Sequence, residues 1–277
     1  MIKLFYYKNL INYFLLSYLI TWTIWAPLYL PYFGYDGFPI LFYHHAYGAL
    51  GPILAAFIME KQERGTEGVL SLLKSMVKWR VNAVWYLVVL VPLMLLIITM
   101  FWEYLAHQKP MNWSGFGVSS EFPEFSIVGF FLYNLFTFGI GEETGWRGYA
   151  LPRLQSHYSA LKSTVLLTAG WAIWHIPAFL YRPGYVSMGF GDIIGWLLSL
   201  FMGAIILTWL FNSTKGSVLI CILFHTVINT VFTSDVALDK TITLYLGVFI
   251  TIWGLVIISI AHPLHLSLLK RVKIKSI

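Results

Sequence analysis

Three short motifs place polar and ionisable side chains inside otherwise apolar stretches of this chain. Their six residues are Glu142, Glu143, Arg147, His175, His225 and Asn229. An ionisable group at membrane depth costs roughly 3 kcal/mol or more, so such groups usually mark a functional site. A carboxylate, two imidazoles and an amide that meet in one water-filled pocket could hydrolyse a carbonyl compound. The carboxylate would activate water, and the other groups would stabilise the developing oxyanion.

The spacing of the first motif, "EETGWR", separates its two acidic residues by role. Glu143 and Arg147 are four residues apart, so they lie on one helical face and can form an ion pair. Glu142 is turned by about 100° from Glu143 around the helix axis, which leaves it facing the bundle interior. We therefore predict that Glu143 and Arg147 support the site and that Glu142 acts as the general base.

The other two motifs supply the partners of Glu142. In "WAIWHIP", His175 comes just before Pro177, which should bend the helix beyond the histidine. In "HTVIN", His225 and Asn229 share a helical face at a spacing of four. We expect Glu142, hydrogen-bonded with His175, to activate water, while His225 and Asn229 donate to the oxyanion.

A metal ion is the second way in which these residues could activate water. Glu142, His175 and His225 could hold zinc and leave one position for water. The chain has no H-E-x-x-H helix, however, and the Asn229 amide is a poor zinc ligand. The sequence leaves zinc open as a cofactor.

The composition predicts a membrane bundle around these motifs. Of the 277 residues, 58% are hydrophobic and only 11% are charged, far below the quarter or so that is usual for soluble domains. The single cysteine, Cys221, excludes a disulfide framework. We predict one all-α membrane domain over residues 1–277, a polytopic bundle whose catalytic core spans residues 126–233. Its eight predicted spans are 10–32, 42–59, 84–102, 126–153, 163–181, 191–212, 217–233 and 241–262.

The distribution of basic residues predicts the orientation of the bundle. If the N-terminus is cytoplasmic, fifteen Lys and Arg fall in inner segments, whereas only Lys109, Arg182 and Lys240 fall in outer segments. The positive-inside rule therefore places both termini in the cytoplasm. Counted from the inner boundary, the four reactive groups lie about 12 to 20 Å deep at 1.5 Å per residue. This depth predicts one cavity open to the cytoplasm, with a peptide or protein substrate arriving from the membrane or the cytoplasm.

The three motifs also carry a family resemblance. "EETGWR" matches E-E-x-x-x-R, "WAIWH" resembles F-x-x-x-H with Trp171 in place of phenylalanine, and "HTVIN" matches H-x-x-x-N. Their order resembles the CPBP family of CAAX prenyl endopeptidases and bacterial Abi, bacteriocin-processing or bacteriocin-immunity proteins. The resemblance implies an intramembrane protease, often called a metalloprotease, in a bacterial cell membrane. It also implies that Glu142 and His175 activate water and that His225 and Asn229 stabilise the oxyanion.

Other functions remain open at this stage. A non-proteolytic immunity or scaffold protein could retain the same pocket, and a transporter could use the acidic residues as a proton relay. A transporter should show inverted repeats, and the sequence contains none. The net charge of +6 reflects membrane orientation, and no feature favours a nucleic-acid partner. The expected partners are the lipid bilayer and a substrate that is either a prenylated CAAX protein or a bacteriocin or signal-peptide precursor.

Overall fold

The computed structural model describes residues 2–111 and 113–274, with side chains from residue 8 onward. These residues are predominantly helical and include no β-strand, which confirms the all-α prediction. The α-helices are α1 (Ile2–Tyr29), α2 (His44–Gly48), α3 (Gly51–Met76), α4 (Val84–Val89), α5 (Val91–His107), α6 (Ile127–Asn134), α7 (Gly141–Glu143), α8 (Leu151–His157), α9 (Ala160–Trp174), α10 (Pro183–Val186), α11 (Phe190–Ser213), α12 (Val218–Phe232) and α13 (Lys240–Ile260). Short 3-10 helices cover Leu30–Phe33, Ile176–Leu180 and Asp235–Leu238.

Four helical segments of the described chain are long and apolar enough to cross a membrane. They are Lys8–Phe33, Ala160–Leu180, Phe190–Ser213 and Lys240–Ile260. They coincide with four of the eight predicted spans and support a membrane protein. The other four predicted spans are also largely helical, but they fall short of these criteria for physical reasons. The α5 and α12 helices are short, α3 carries charged residues, and the segment around Glu142 alternates between two kinds of helix.

The segment that carries Glu142 runs helically from Ile127 to His157. It changes from α-helix to π-helix at Leu135–Ile140, returns to one α-helical turn in α7, and is π-helical again at Thr144–Ala150. Isolated π-helical turns are frequent at functional sites, because they redirect side chains relative to a regular helix. Helices α3, α9, α11 and α12 pack around this central segment, and Tyr13 of α1 packs against Trp146 and Tyr149.

Serine caps fix where the site-bearing helices begin. The hydroxyl of Ser126 accepts the backbone N–H of Gly129, that of Ser159 accepts Lys162, and that of Ser217 accepts Ile220. Each serine thereby satisfies a backbone donor that the first helical turn leaves without a partner. These caps set the register that brings His175 and His225 toward the central helix.

Glycines allow the neighbouring helices to approach Glu142 closely. A Cβ atom on Gly139 would lie 3.0 Å from the Ile222 carbonyl oxygen of α12. One on Gly141 would lie 2.8 Å from the Ala49 carbonyl oxygen. Small residues that permit such backbone contact are typical of helix interfaces in membranes. These glycines therefore allow α12 and the segment before α3 to pack closely against the central helix.

Replacing Gly145 tests this packing directly. Its added Cβ would lie 2.6 Å from the Pro52 carbonyl oxygen, a backbone atom that cannot rotate away. We expect Gly145→Ala to lower the thermal unfolding temperature in detergent, with a cost of about 1–3 kcal/mol from overpacking. Gly203→Ala is the matched control, because nothing lies within 4 Å of its added Cβ. Equal unfolding temperatures for the two variants would contradict the proposed contact.

Candidate functional site

Two indole groups hold the buried carboxylate of Glu142. Its Oε2 atom accepts the N–H of Trp146 at 3.2 Å and the N–H of Trp171 at 2.6 Å. Both donors bind the same oxygen, and Oε1 accepts no hydrogen bond from the described residues. The side chain is 2% exposed, yet Oε1 is not among the polar atoms that are sealed without a partner. Glu142 is thus held in place with one oxygen left for a further ligand.

The second acidic residue, Glu143, is used differently. Its Oε1 atom accepts a hydrogen bond from Arg147 at 2.8 Å and one from Nδ1 of His225 at 2.7 Å. Glu143 and Arg147 are fully buried, and Oε2 of Glu143 is sealed without a partner among the described residues. The ion pair predicted from the spacing of four is confirmed. Its extension to His225 was not predicted from the sequence.

The site histidine of α9, His175, lies where that helix ends, as Pro177 predicts. Its Nδ1 atom is 2.8 Å from the Trp171 carbonyl oxygen, which can only accept a hydrogen bond. Nδ1 therefore carries the proton, and Nε2 of a neutral ring keeps its lone pair. The predicted direct hydrogen bond between Glu142 and His175 is not present in the described structure, where Oε1 of Glu142 and Nε2 of His175 both remain unbonded.

On α12, the two polar side chains retain free donors or acceptors. His225 donates from Nδ1 to Glu143, so its Nε2 carries a second N–H only when the ring is protonated. The side chain of Asn229, half-buried, makes no hydrogen bond with another described side chain or backbone atom. Both residues can therefore offer N–H groups to a developing negative charge.

At the centre of this arrangement is Trp171, whose importance sequence reasoning missed. Besides its bond to Glu142, its ring lies 5.5 Å from the His225 ring and 6.1 Å from the His175 ring. The Arg147 guanidinium lies 4.8 Å from the Trp171 ring centre, within cation–π range. The phenylalanine expected from the family pattern has no N–H, so it could fill the space but could not hold Glu142. In the sequence, the role of Trp171 is indicated by the replacement of the family's phenylalanine with tryptophan. The role of Trp146 is indicated by its spacing of four residues from Glu142.

The donor geometry does not fit the zinc site that the sequence left open. Within residues 2–111 and 113–274, no three His, Cys, Asp or Glu side chains are grouped closely enough to hold a metal ion. Glu142 already accepts two indole N–H groups through one oxygen. We therefore derive no chemical step through a metal ion.

The two best-defined cavities lie outside this constellation. One, of about 440 Å³, is lined by residues including Glu103, Lys109 and Asp239 at the ends of α5 and α13. The other, of about 190 Å³, is lined by residues including His45 and Arg182. Neither cavity is lined by any of the four reactive groups.

Comparison with known proteins gives an independent line of evidence. Residues 124–231 match the family described as type II CAAX prenyl endopeptidase Rce1-like, which confirms the resemblance. The CAAX prenyl protease 2 of Methanococcus maripaludis is 33% identical over 141 residues, 48% of this chain and 50% of the relative. The chain therefore spans about half the length of this curated relative. All six site residues lie within the segment matched by the family.

Removing Arg147 tests the buried ion pair. We expect Arg147→Met to destabilise the protein by about 3–5 kcal/mol, because Glu143 would keep a buried charge without its cation. The double variant Glu143→Gln/Arg147→Met should recover part of this loss. Thermal unfolding in detergent measures both effects, and Arg80→Met is the control at an exposed position. A single variant as stable as the control would contradict the pairing.

Proposed function

We propose that this protein, which carries the CAAX endopeptidase segment over residues 124–231, is an intramembrane endopeptidase. One observation carries the proposal: each predicted catalytic side chain keeps a polar atom that makes no hydrogen bond, whereas the unbonded atoms of the supporting pair, such as Oε2 of Glu143, are sealed from solvent. The free atoms are Oε1 of Glu142, Nε2 of His175, Nε2 of His225 and the side-chain amide of Asn229. These are the donors and acceptors that peptide hydrolysis by activated water requires.

In the first step, Glu142 and His175 would orient one water molecule. Glu142 Oε1 accepts one of its protons, and the lone pair on His175 Nε2 accepts the other. Glu142 then removes a proton as the water oxygen bonds to the carbonyl carbon of the scissile peptide. The Trp146 and Trp171 indoles keep the carboxylate fixed throughout, which lowers the entropic cost of reaching this geometry.

The second step would break the C–N bond of the tetrahedral intermediate. A protonated His225 and the Asn229 amide donate to the oxyanion, and Glu143 stabilises the positive charge on His225. As the carbonyl re-forms, the amine leaves and takes the proton held by Glu142. The products are one carboxyl terminus and one amino terminus, and Glu142 is ionised again.

The membrane arrangement that we propose keeps the eight spans and the cytoplasmic termini predicted from the sequence. The short α5 continues from α4 through a single residue, Leu90, so that the two together are long enough to span a bilayer. The central helix, α3 and α12 would complete an eight-span bundle in a bacterial cell membrane with both termini cytoplasmic. The lipid bilayer and a peptide or protein substrate are its proposed partners. Prenylated CAAX proteins and bacteriocin or signal-peptide precursors are the two proposed substrate classes.

Replacing Glu142 with glutamine tests the proposed function. Glutamine keeps the shape and can still accept both indole N–H groups, but it cannot remove a proton from water. We expect cleavage to fall by about 10²–10⁴-fold, the usual contribution of a general base. His175→Ala should be nearly as damaging. The measurement compares the termini of membrane peptides, by mass spectrometry, in cells that make equal amounts of native protein and variant.

Glu67→Gln is the control, because Glu67 is exposed on the surface of α3. Peptide termini present with the native protein and with Glu67→Gln, but lost with Glu142→Gln, would identify the substrate. The alternative is a scaffold or immunity protein that retains the pocket. It predicts the same termini in all three samples, and that result would refute the proposed peptidase.

A further inference from the structure

The ends of the helices form two faces of opposite charge. Backbone and side-chain contacts connect one face: Lys78 to Lys215, Ser217 to Lys78, and Ala160 to Leu264. We call this the basic face, since twelve described Lys and Arg lie on it against three acidic residues. Its basic residues are Lys8, Lys61, Arg64, Lys74, Lys78, Arg80, Arg153, Lys162, Lys215, Lys270, Arg271 and Lys273.

Contacts also connect the opposite ends of the helices, where acidic residues outnumber basic ones. Contacts join Asp235 to Val118, Arg182 to Glu121, and Lys109 to Asp239. We call this the acidic face, because seven acidic residues lie on it against three basic ones. The acidic residues are Asp36, Glu103, Glu121, Glu124, Asp192, Asp235 and Asp239.

Of the reactive groups on α9 and α12, His175 and Asn229 lie nearer to the acidic face, whereas His225 is the middle residue of α12. His175 comes fifteen residues after Ala160, about 22 Å from the basic end of α9 at 1.5 Å per residue, and follows its last residue. Asn229 lies about 16 Å from the basic end of α12, but only about 4 Å from its other end. The cavity open to the cytoplasm that the sequence predicts depends on depths measured from the basic ends of the helices alone.

Packing closes the route toward the basic face. Between Glu142 and that face lie the fully buried rings of Trp146 and Tyr149, followed by Arg153, which is 2% exposed. Arg153 is locked by ion pairs to Glu60 at 3.1 Å and Glu63 at 2.8 Å. A substrate arriving from the basic face would have to break this buried cluster.

Exposure increases in the opposite direction. His175 and Asn229 are half-buried, as is Tyr185, whose ring stacks 6.0 Å from the His175 ring. Tyr185 belongs to α10, in the connection on the acidic face, and Ser187 next to it is exposed. Of the four reactive side chains, the two that are partly exposed, His175 and Asn229, thus lie toward this side, whereas Glu142 and His225 are buried.

We propose that the site is loaded from the acidic face and that this face is the non-cytoplasmic one. The orientation follows from the positive-inside rule applied to the two faces, and the inference rests on the proposed peptidase function. The substrate would be a membrane-embedded or exported peptide whose scissile bond lies near the non-cytoplasmic side. Translocation of the precursor must then precede cleavage. The CAAX terminus of a cytoplasmic protein would meet the closed face, so precursors of exported peptides are the favoured class.

Cysteine labelling in cells tests this access directly. The single native cysteine is buried, and Cys221→Ser gives a cysteine-free background in which the hydroxyl can still donate to Leu207. Single cysteines are then placed at Asn229 in the site, at Ser187 on the acidic face and at Thr66 on the basic face. The probe is a membrane-impermeant trimethylammonium methanethiosulfonate, applied to intact and permeabilised cells before labelling with a fluorescent maleimide under denaturing conditions.

We expect Asn229→Cys and Ser187→Cys to react in intact cells, and Thr66→Cys to react only after permeabilisation. Tyr185→Cys is the second site variant in case Asn229→Cys does not fold, and it should behave in the same way. Site cysteines that react only after permeabilisation, or under neither condition, would overturn the proposal, as would Thr66→Cys reacting in intact cells. Labelling needs no catalysis, so an inactive protein would refute the peptidase function without altering this pattern.

Discussion

Burying three ionisable side chains within six residues of the central helix constrains the rest of the structure. Each charge needs its own partner, because an unpaired ion in an apolar interior costs several kcal/mol. The bundle meets this need by separating the two acids. Glu143 shares one oxygen between Arg147 and His225, whereas Glu142 is held only by neutral indole N–H groups. The carboxylate that we propose as the general base is therefore kept outside the ion pair.

The separation also explains why the site is lined with aromatic rings. An indole combines a large apolar surface with one N–H donor, so it can pack against lipid-like surroundings and still satisfy a carboxylate. Trp171 meets Glu142 through its N–H and Arg147 through its ring face. It thereby connects the helix of the two acids to α9, and His175 comes one turn later on the same helix. One side chain links the base, the structural cation and the two imidazoles.

Periodicity was enough to predict several features of the site. The ion pair of Glu143 with Arg147 follows from their spacing of four, and the end of α9 at His175 follows from Pro177. The indole bonds to Glu142 depend on side-chain rotamers and on contact between separate helices, which spacing does not determine. The predicted bond from Glu142 to His175 failed for that reason.

Helix ends were equally difficult to infer from sequence. Hydropathy located the apolar stretches, but the π-helical turns around Glu142 and the short α12 are set by tertiary packing. Depth within the bundle depends on both ends of each helix, and only the basic end is evident from charge. The positions of His175 and Asn229 near the acidic face therefore became evident only from the three-dimensional arrangement.

The central claim is that Glu142 and Glu143 have separate partners, and the indole N–H signals of the protein report on it directly. In ¹⁵N-tryptophan NMR spectra of the detergent-solubilised protein, Trp146→Phe and Trp171→Phe would assign the two indoles bonded to Glu142. The Glu142→Gln substitution replaces the carboxylate with a neutral group and should shift both indole N–H signals. The Glu143→Gln substitution should leave the Trp146 signal in place. Indole signals that are unchanged in Glu142→Gln, or a Trp146 signal that moves equally in both variants, would contradict the account.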